Sequence, residues 1–258
     1  MVAAINERIA RIGAEPVDGD WVDTCFAWRE RWPFYTADFA DYPDRIAPEI
    51  VLEKLSAKLD PHASVVTTEV GQHQMWAHQH IHREESRTFI SSGGLGTMGF
   101  GFPAAIGAKI GRPDCQVVCI AGDGSLQMNI QEMATAVLEE LPIIICIFNN
   151  EYLGMVRQWQ KLFYGKRYAM TNLKAGALSR RTNGEEYPEY TPDFVKLAES
   201  YGAKGYRVTK TEEIAPAFEA AKKNTKVPTI IEFIIDPEEM VYPMIQPGGT
   251  LEEMIMDC

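Results

Sequence analysis

The stretch that decides the fold runs from Gln116-Val117-Val118-Cys119-Ile120 through Gly122-Asp123-Gly124-Ser125 to Asn149-Asn150. The first five residues are apolar and partly β-branched, the mark of a buried strand. A Gly-Asp-Gly turn follows, then a helical segment, then a second apolar run ending in the paired asparagines. The glycines let the backbone turn sharply and approach a ligand closely. Asp123 therefore sits at the carboxyl end of a strand and near the start of a helix, where open α/β sheets bind ligands and anions are favoured. An aspartate beside a phosphate needs a cation between the two. Mg²⁺ fits, since it takes hard oxygen ligands and is commonly shared between one or two side chains and phosphates. Asn150 follows 27 positions after Asp123, at the end of the next strand, so its amide oxygen is the natural second ligand.

Around this centre the chain alternates. Helices are expected over 5–12, 48–59, 103–110, 153–163, 191–201 and 211–223. Strands are expected over 64–68, 87–90, 204–208 and 228–235. Pro48 opens one helix, Thr191 with Pro192 caps another, and Thr211 with Glu213 reads like a capping box. Glu69 to Trp76 reads as a polar loop at a strand end, Tyr164 to Glu186 as loop, and 236–258 as irregular. Alternation of this kind predicts an α/β fold, a mostly parallel sheet with helices on both faces. Residues 1–45 read as the tail of a preceding domain with a linker, 46–235 as the folded domain and 236–258 as a C-terminal tail. The aromatics Trp21, Phe26, Trp28, Trp32, Phe34, Tyr35, Phe39 and Tyr42 are numerous for a linker and call for a surface to bury them.

The composition excludes several classes. A net charge of −11 argues against a general nucleic-acid binder. No apolar run approaches a membrane span and no signal-peptide pattern opens the chain. The five cysteines form no CxxC pair, and Cys119 and Cys146 fall in expected buried strands, which points to free thiols and a reducing cytoplasm. Gly94-Leu95-Gly96-Thr97-Met98-Gly99 matches G-x-G-x-x-G, yet the next strand ends in Gly-Asp-Gly rather than in the acid a dinucleotide site needs. His73, His78, His80 and His82 have no zinc spacing. Met155 and Trp159 share one helical face, which core packing would also explain.

Gly-Asp-Gly with a spacer of this length and Asn-Asn resembles the diphosphate-binding motif of thiamine-diphosphate enzymes. Three further stretches narrow the resemblance: Val70-Gly71-Gln72-His73-Gln74-Met75-Trp76, Gly93 to Gly101, and Gly154-Met155-Val156-Arg157-Gln158-Trp159-Gln160. With them the chain resembles the C-terminal, cofactor-binding part of the acetohydroxyacid synthase (acetolactate synthase) large subunit.

That resemblance implies a ligand set and a chemistry. Asp123, Asn150 and the backbone carbonyl of Tyr152 would hold Mg²⁺. Gly71, Gln72, His73, Gly122, Gly124 and Ser125 would surround the diphosphate. The backbone near Gly96 and Met98 would receive the aminopyrimidine, and Met155 would lie against the cofactor. Trp159 would line the substrate channel. The reaction would be decarboxylation of pyruvate and carboligation to a second pyruvate or to 2-oxobutyrate, in branched-chain amino acid biosynthesis. The family also binds FAD through a central domain and carries its activating glutamate on an N-terminal pyrimidine domain. Both are expected on a partner polypeptide, in a homo- or hetero-oligomer that a regulatory small subunit can join. Two other readings stay open: the diphosphate-domain subunit of another 2-oxo-acid decarboxylase or ligase, and a non-catalytic cofactor-binding module.

Overall fold

A computed structural model describes residues 2–13, 19–31, 45–174 and 192–256. Contacts divide the chain into two units, 1–39 and 40–258. The first contains helix α1 (Val2–Ile12) and helix α2 (Asp20–Arg31). No residue of α2 is buried, and Trp21 packs edge-on against Trp28 at 5.5 Å. Trp32, Phe34, Tyr35, Phe39 and Tyr42, the rest of the aromatic run, lie outside the described residues.

The second unit is a βα alternation. It runs α3 (Pro48–Ser56), β1 (Ser64–Thr68), α4 (Gln72–His80), β2 (Phe89–Ser91), α5 (Gly101–Gly111) and β3 (Gln116–Gly122). It continues α6 (Asp123–Leu126), α7 (Glu132–Leu138), β4 (Ile143–Asn149), α8 (Gly154–Phe163), α9 (Phe194–Ser200), β5 (Lys204–Val208), α10 (Thr211–Lys223) and β6 (Thr229–Ile234). The six strands form one sheet in the order β2-β1-β3-β4-β6-β5, and every pairing is parallel.

Side chains alternate across a strand, so a sheet covered on both sides needs apolar residues at every position. β3 and β4 meet that demand. Val118, Ile120, Ile144, Cys146 and Phe148 face one core, filled by Leu52 and Leu55 of α3, Trp76 of α4 and Phe218 of α10. Val117, Cys119, Ile143, Ile145 and Ile147 face the other, filled by Phe102 of α5, Met133 of α7 and Phe194 of α9. Each fully buried chain of this size contributes about 1.5–3 kcal/mol relative to exposure. Cys115, Cys119 and Cys146 are buried free thiols.

Two expectations about elements are corrected. The polar stretch after β1 is a helix from Gln72, not a loop. Its inward face is Gln72, His73, Trp76, Ala77 and His80, which have helical spacing but are mostly polar, so hydropathy does not mark them. The helical segment after Ser125 is interrupted by a 3-10 turn at Gln127–Asn129. Thr191, the expected cap of α9, lies outside the described residues. Asp193 caps that helix instead, accepting the Lys196 N–H at 3.2 Å. At α10 the Glu213 carboxylate accepts the N–H groups of Thr209 and Lys210.

The chain leaves β1 toward β2 and leaves β3 toward β4, so the connections diverge between β1 and β3. A crevice at the carboxyl ends of those strands is where such sheets place ligands.

Candidate functional site

A cavity opens at that switch point. The β1 end contributes Val70, Gly71, Gln72 and His73. The β3 end contributes Gly122, Asp123, Gly124 and Ser125. The turn after β4 and the start of α8 add Asn150, Tyr152, Leu153 and Met155, and Met98 reaches in from the glycine loop.

Asp123 is the first residue of α6, held there because Gly122 ends the strand in extended conformation. Its Oδ1 accepts the Gly124 N–H at 3.0 Å, while Oδ2 is buried without a hydrogen-bond partner. Burial pushes this carboxyl up to about 8; backbone N–H groups of Gly124 and Asp123 pull it back only in part. A divalent cation reverses that balance by favouring the charged form.

His73 sits one residue into α4, wedged against the backbone of two glycines. A Cβ on Gly122 would lie 2.9 Å from its Nδ1, and a Cβ on Gly71 would lie 2.9 Å from its Cε1. Gly71 also has φ +144°, which only glycine adopts without strain. Burial pushes the His73 ring down to about 3, so it is neutral at physiological pH, and its Nε2 is buried without a partner. The cavity thus holds an unpartnered carboxylate oxygen and an unpartnered neutral imidazole nitrogen. Orphaned buried groups of these types are what a hard cation and a phosphate oxygen would satisfy.

The two asparagines divide their work. The Asn149 amide donates to Glu232 at 2.8 Å, and Glu232 also takes the Arg207 guanidinium at 2.7 Å, so Asn149 braces β4 against β6. Asn150 is turned to the cavity. Its Oδ1 accepts the Tyr152 N–H at 3.1 Å and its Nδ2 donates to Gln72 Oε1 at 3.1 Å. Glu151 between them and Tyr152 has φ +64°, which makes the tight turn. Oxygen donors of this kind suit Mg²⁺; among the described residues no cluster of three His, Cys, Asp or Glu side chains forms a metal site of another kind.

The structure places some expected residues differently. The Gln72 amide donates to Gln158 Oε1 and to the Glu239 carbonyl, so both its hydrogens are used within the protein. Gly96 does not line the cavity, and its loop is exposed, with Leu95 95% accessible. Trp159 is 41% exposed and stands outside both the cavity lining and the core. His80 is buried near Glu53 and His78 bonds the Gln74 carbonyl, so the histidines of α4 do not converge.

The structural roles of two groups were not legible in the sequence. Glu69, at the end of β1, is buried; its Oε2 accepts the Gly99 N–H and its Oε1 has no partner. Burial pushes it up to about 7. It anchors the glycine loop that carries Met98. Gln158 is buried in α8, and the available signal was its position four residues after Gly154 and three after Met155, on a face shared with the cavity.

Residues 69–233 match the family described as "Thiamine pyrophosphate enzyme, C-terminal TPP binding domain". The chain is 43% identical to the acetolactate synthase large subunit of Corynebacterium glutamicum, over 97% of this chain and 38% of that protein. It is 41% identical to the acetolactate synthase isozyme 2 large subunit of Escherichia coli, over 92% of this chain and 39% of that one. A probable acetolactate synthase large subunit of Methanococcus aeolicus is 44% identical over 84% of this chain. The chain spans about two fifths of the length of the Corynebacterium and Escherichia proteins.

Proposed function

Because the chain belongs to the thiamine pyrophosphate enzymes, through their C-terminal TPP-binding domain, we propose that it supplies the diphosphate and Mg²⁺ half of an acetolactate synthase active site. The reaction is decarboxylation of pyruvate and joining of the remaining two-carbon unit to pyruvate or 2-oxobutyrate. The observation that carries this reading is the buried Asp123 Oδ2, partnerless in the same cavity as Asn150 and His73.

Asp123, the Asn150 Oδ1 and the Tyr152 carbonyl hold the ion. The neutral His73 ring bonds a diphosphate oxygen through Nε2, beside Ser125, Gly124 and the backbone of Gln72. When bound, thiamine diphosphate supplies the thiazolium carbon that adds to the keto carbon and takes up the electrons of decarboxylation. Met155 and Val70 keep water from that face. Met98 and Glu69 shape the loop that receives the pyrimidine, and Trp159 stands where the acceptor enters. The activating glutamate and the FAD site come from polypeptide outside these 258 residues, on a longer chain or on another subunit of a cytoplasmic oligomer. Among the described residues no helix is long and apolar enough to cross a membrane.

Calorimetry with Mg²⁺ and thiamine diphosphate tests the reading. Asp123→Ala removes the only carboxylate among the proposed ligands, so cofactor binding should be lost at metal concentrations that saturate the wild type. Equal affinity in the variant would sink the assignment.

A further inference from the structure

A chain of amides runs from the C-terminal segment to the metal end of the cavity. Its origin is a peptide unit, whose donor and acceptor roles are fixed. The Val241 N–H donates to Gln158 Oε1 at 2.9 Å, and Gln158 Nε2 donates to the Val241 carbonyl at 2.8 Å. These two bonds leave the Gln158 amide one orientation. Its oxygen then faces Gln72, which must present Nε2, at 2.8 Å. The second hydrogen of that group goes to another fixed acceptor, the Glu239 carbonyl, at 3.0 Å. Gln72 Oε1 is therefore turned to Asn150 and takes a hydrogen from Nδ2 at 3.1 Å. Asn150 is left with its oxygen toward the Tyr152 N–H, at 3.1 Å, with a second lone pair to offer.

Reversing any member is penalised. A flipped Gln72 would set its oxygen against Gln158 Oε1 and the Glu239 carbonyl, and its NH₂ against Asn150 Nδ2. A flipped Asn150 would set its NH₂ against the Tyr152 N–H. Each arrangement opposes like groups in a buried place, where unmade hydrogen bonds are most costly.

Steric evidence agrees. A Cβ on Gly154 would overlap Gln72 Oε1 and lie 2.6 Å from Asn150 Nδ2. The side chain missing at 154 leaves the space in which the Gln72–Asn150 bond forms.

We propose that Gln158 is a positioning residue for the metal site: it transmits the orientation of the Val241 peptide through Gln72 to Asn150, so that Asn150 offers oxygen and not nitrogen to the ion. This rests on the reading of Asn150 as a ligand of Mg²⁺. Gln158 touches neither ion nor substrate. Partners that orient a ligand in this way typically carry about 10–100-fold of metal affinity.

The test titrates the 258-residue chain with Mn²⁺ as a paramagnetic probe, thiamine diphosphate in excess, and counts free ion by electron spin resonance. Gln158→Met keeps volume and removes the amide; it should weaken Mn²⁺ binding about 10–100-fold. Gly154→Ala changes no atom of Gln158 but drives Gln72 off Asn150 and should cause a loss of the same kind, which keeps the idea testable if Gln158→Met does not fold. The double variant Gln158→Met/Gln72→Met should bind no worse than Gln72→Met alone, because one acts through the other. Multiplying losses would mean that Gln158 acts only on the fold, and would overturn the relay. Unchanged binding in Gln158→Met or Gly154→Ala, with binding abolished in Asp123→Ala, would also overturn it while leaving the site reading intact. Unchanged binding in Asp123→Ala would remove the site reading and the relay together.

Discussion

Glu69 is an acid kept where an acid is poorly solvated. Burial raises it from 4.5 to about 7, with the N–H groups of Gly99 and Gly101 opposing. The folded state therefore holds a proton that the unfolded state has released between pH 4.5 and 7. Stability falls as pH rises through that window and levels off above it, by at most about 3 kcal/mol from this group. Glu69→Gln removes the ionisation while keeping an oxygen for the Gly99 N–H. The variant should melt higher than wild type at pH 8, with the gap closing at pH 5. Glu49, pushed up to about 8 by burial, adds a slope of the same sign, so the difference between the two proteins is the quantity to read. A parallel pH profile for both would show that Glu69 stays ionised throughout. At this scale the sequence was legible in position: Asp123 in its glycine turn and Asn150, 27 positions later, do meet at one cavity. It was not legible where burial creates the chemistry. Nothing in the letters shows that burial keeps His73 neutral, or that Gln158 is turned by a peptide 83 positions away.

Elements built on β-branched runs were readable because sheet packing demands apolar residues at every position. β1 and β5 have the expected bounds, and so does α10, whose buried Ile214, Ala217, Phe218 and Ala221 mark an apolar stripe. α4 was missed because its inward face is mostly polar, and a helix that buries Gln72, His73 and His80 looks like loop to any hydropathy argument. α8 lies between these cases. Its inner side carries Met155 in the cavity and Gln158 in the amide chain, and Arg157 grips the Pro237 carbonyl at 2.8 Å while stacking between Tyr152 and Tyr168. Val156, at the cavity, and Trp159, outside its lining, are both partly exposed. The core-packing account of Trp159 is therefore closed, since a ring this exposed supports little of the fold. Trp159→Leu should change stability by no more than about 0.5 kcal/mol, the usual range for surface positions. In the assembled enzyme it should alter the ratio of 2-oxobutyrate to pyruvate used as acceptor. An unchanged product ratio would place the tryptophan outside the substrate path.

On the proposed reading, the molecule as a whole offers one wall of a site. The end of the cavity proposed to hold the diphosphate is enclosed, with Asp123, His73, Gln72 and Asn150 all buried. The loop that would meet the pyrimidine is the opposite, with Leu95 95% exposed and Gly94 next to open space. Activation of the cofactor calls for a carboxyl group within hydrogen-bond reach of the pyrimidine ring. Glu69 is the acid that touches the loop, but its Oε2 is engaged by Gly99 and its Oε1 is buried. It holds the loop and does not reach past it. The 258 residues saturated with Mg²⁺ and thiamine diphosphate should therefore form no acetolactate from pyruvate. Addition of a separately expressed chain carrying the pyrimidine-binding and central domains, with FAD, should restore turnover. Calorimetry on the 258 residues should still register metal-dependent binding of the diphosphate, weaker than in the assembled enzyme because much of the cofactor stays in water. Robust acetolactate formation before the addition would refute the half-site account, and loss of that activity in Glu69→Gln would then identify the acid responsible.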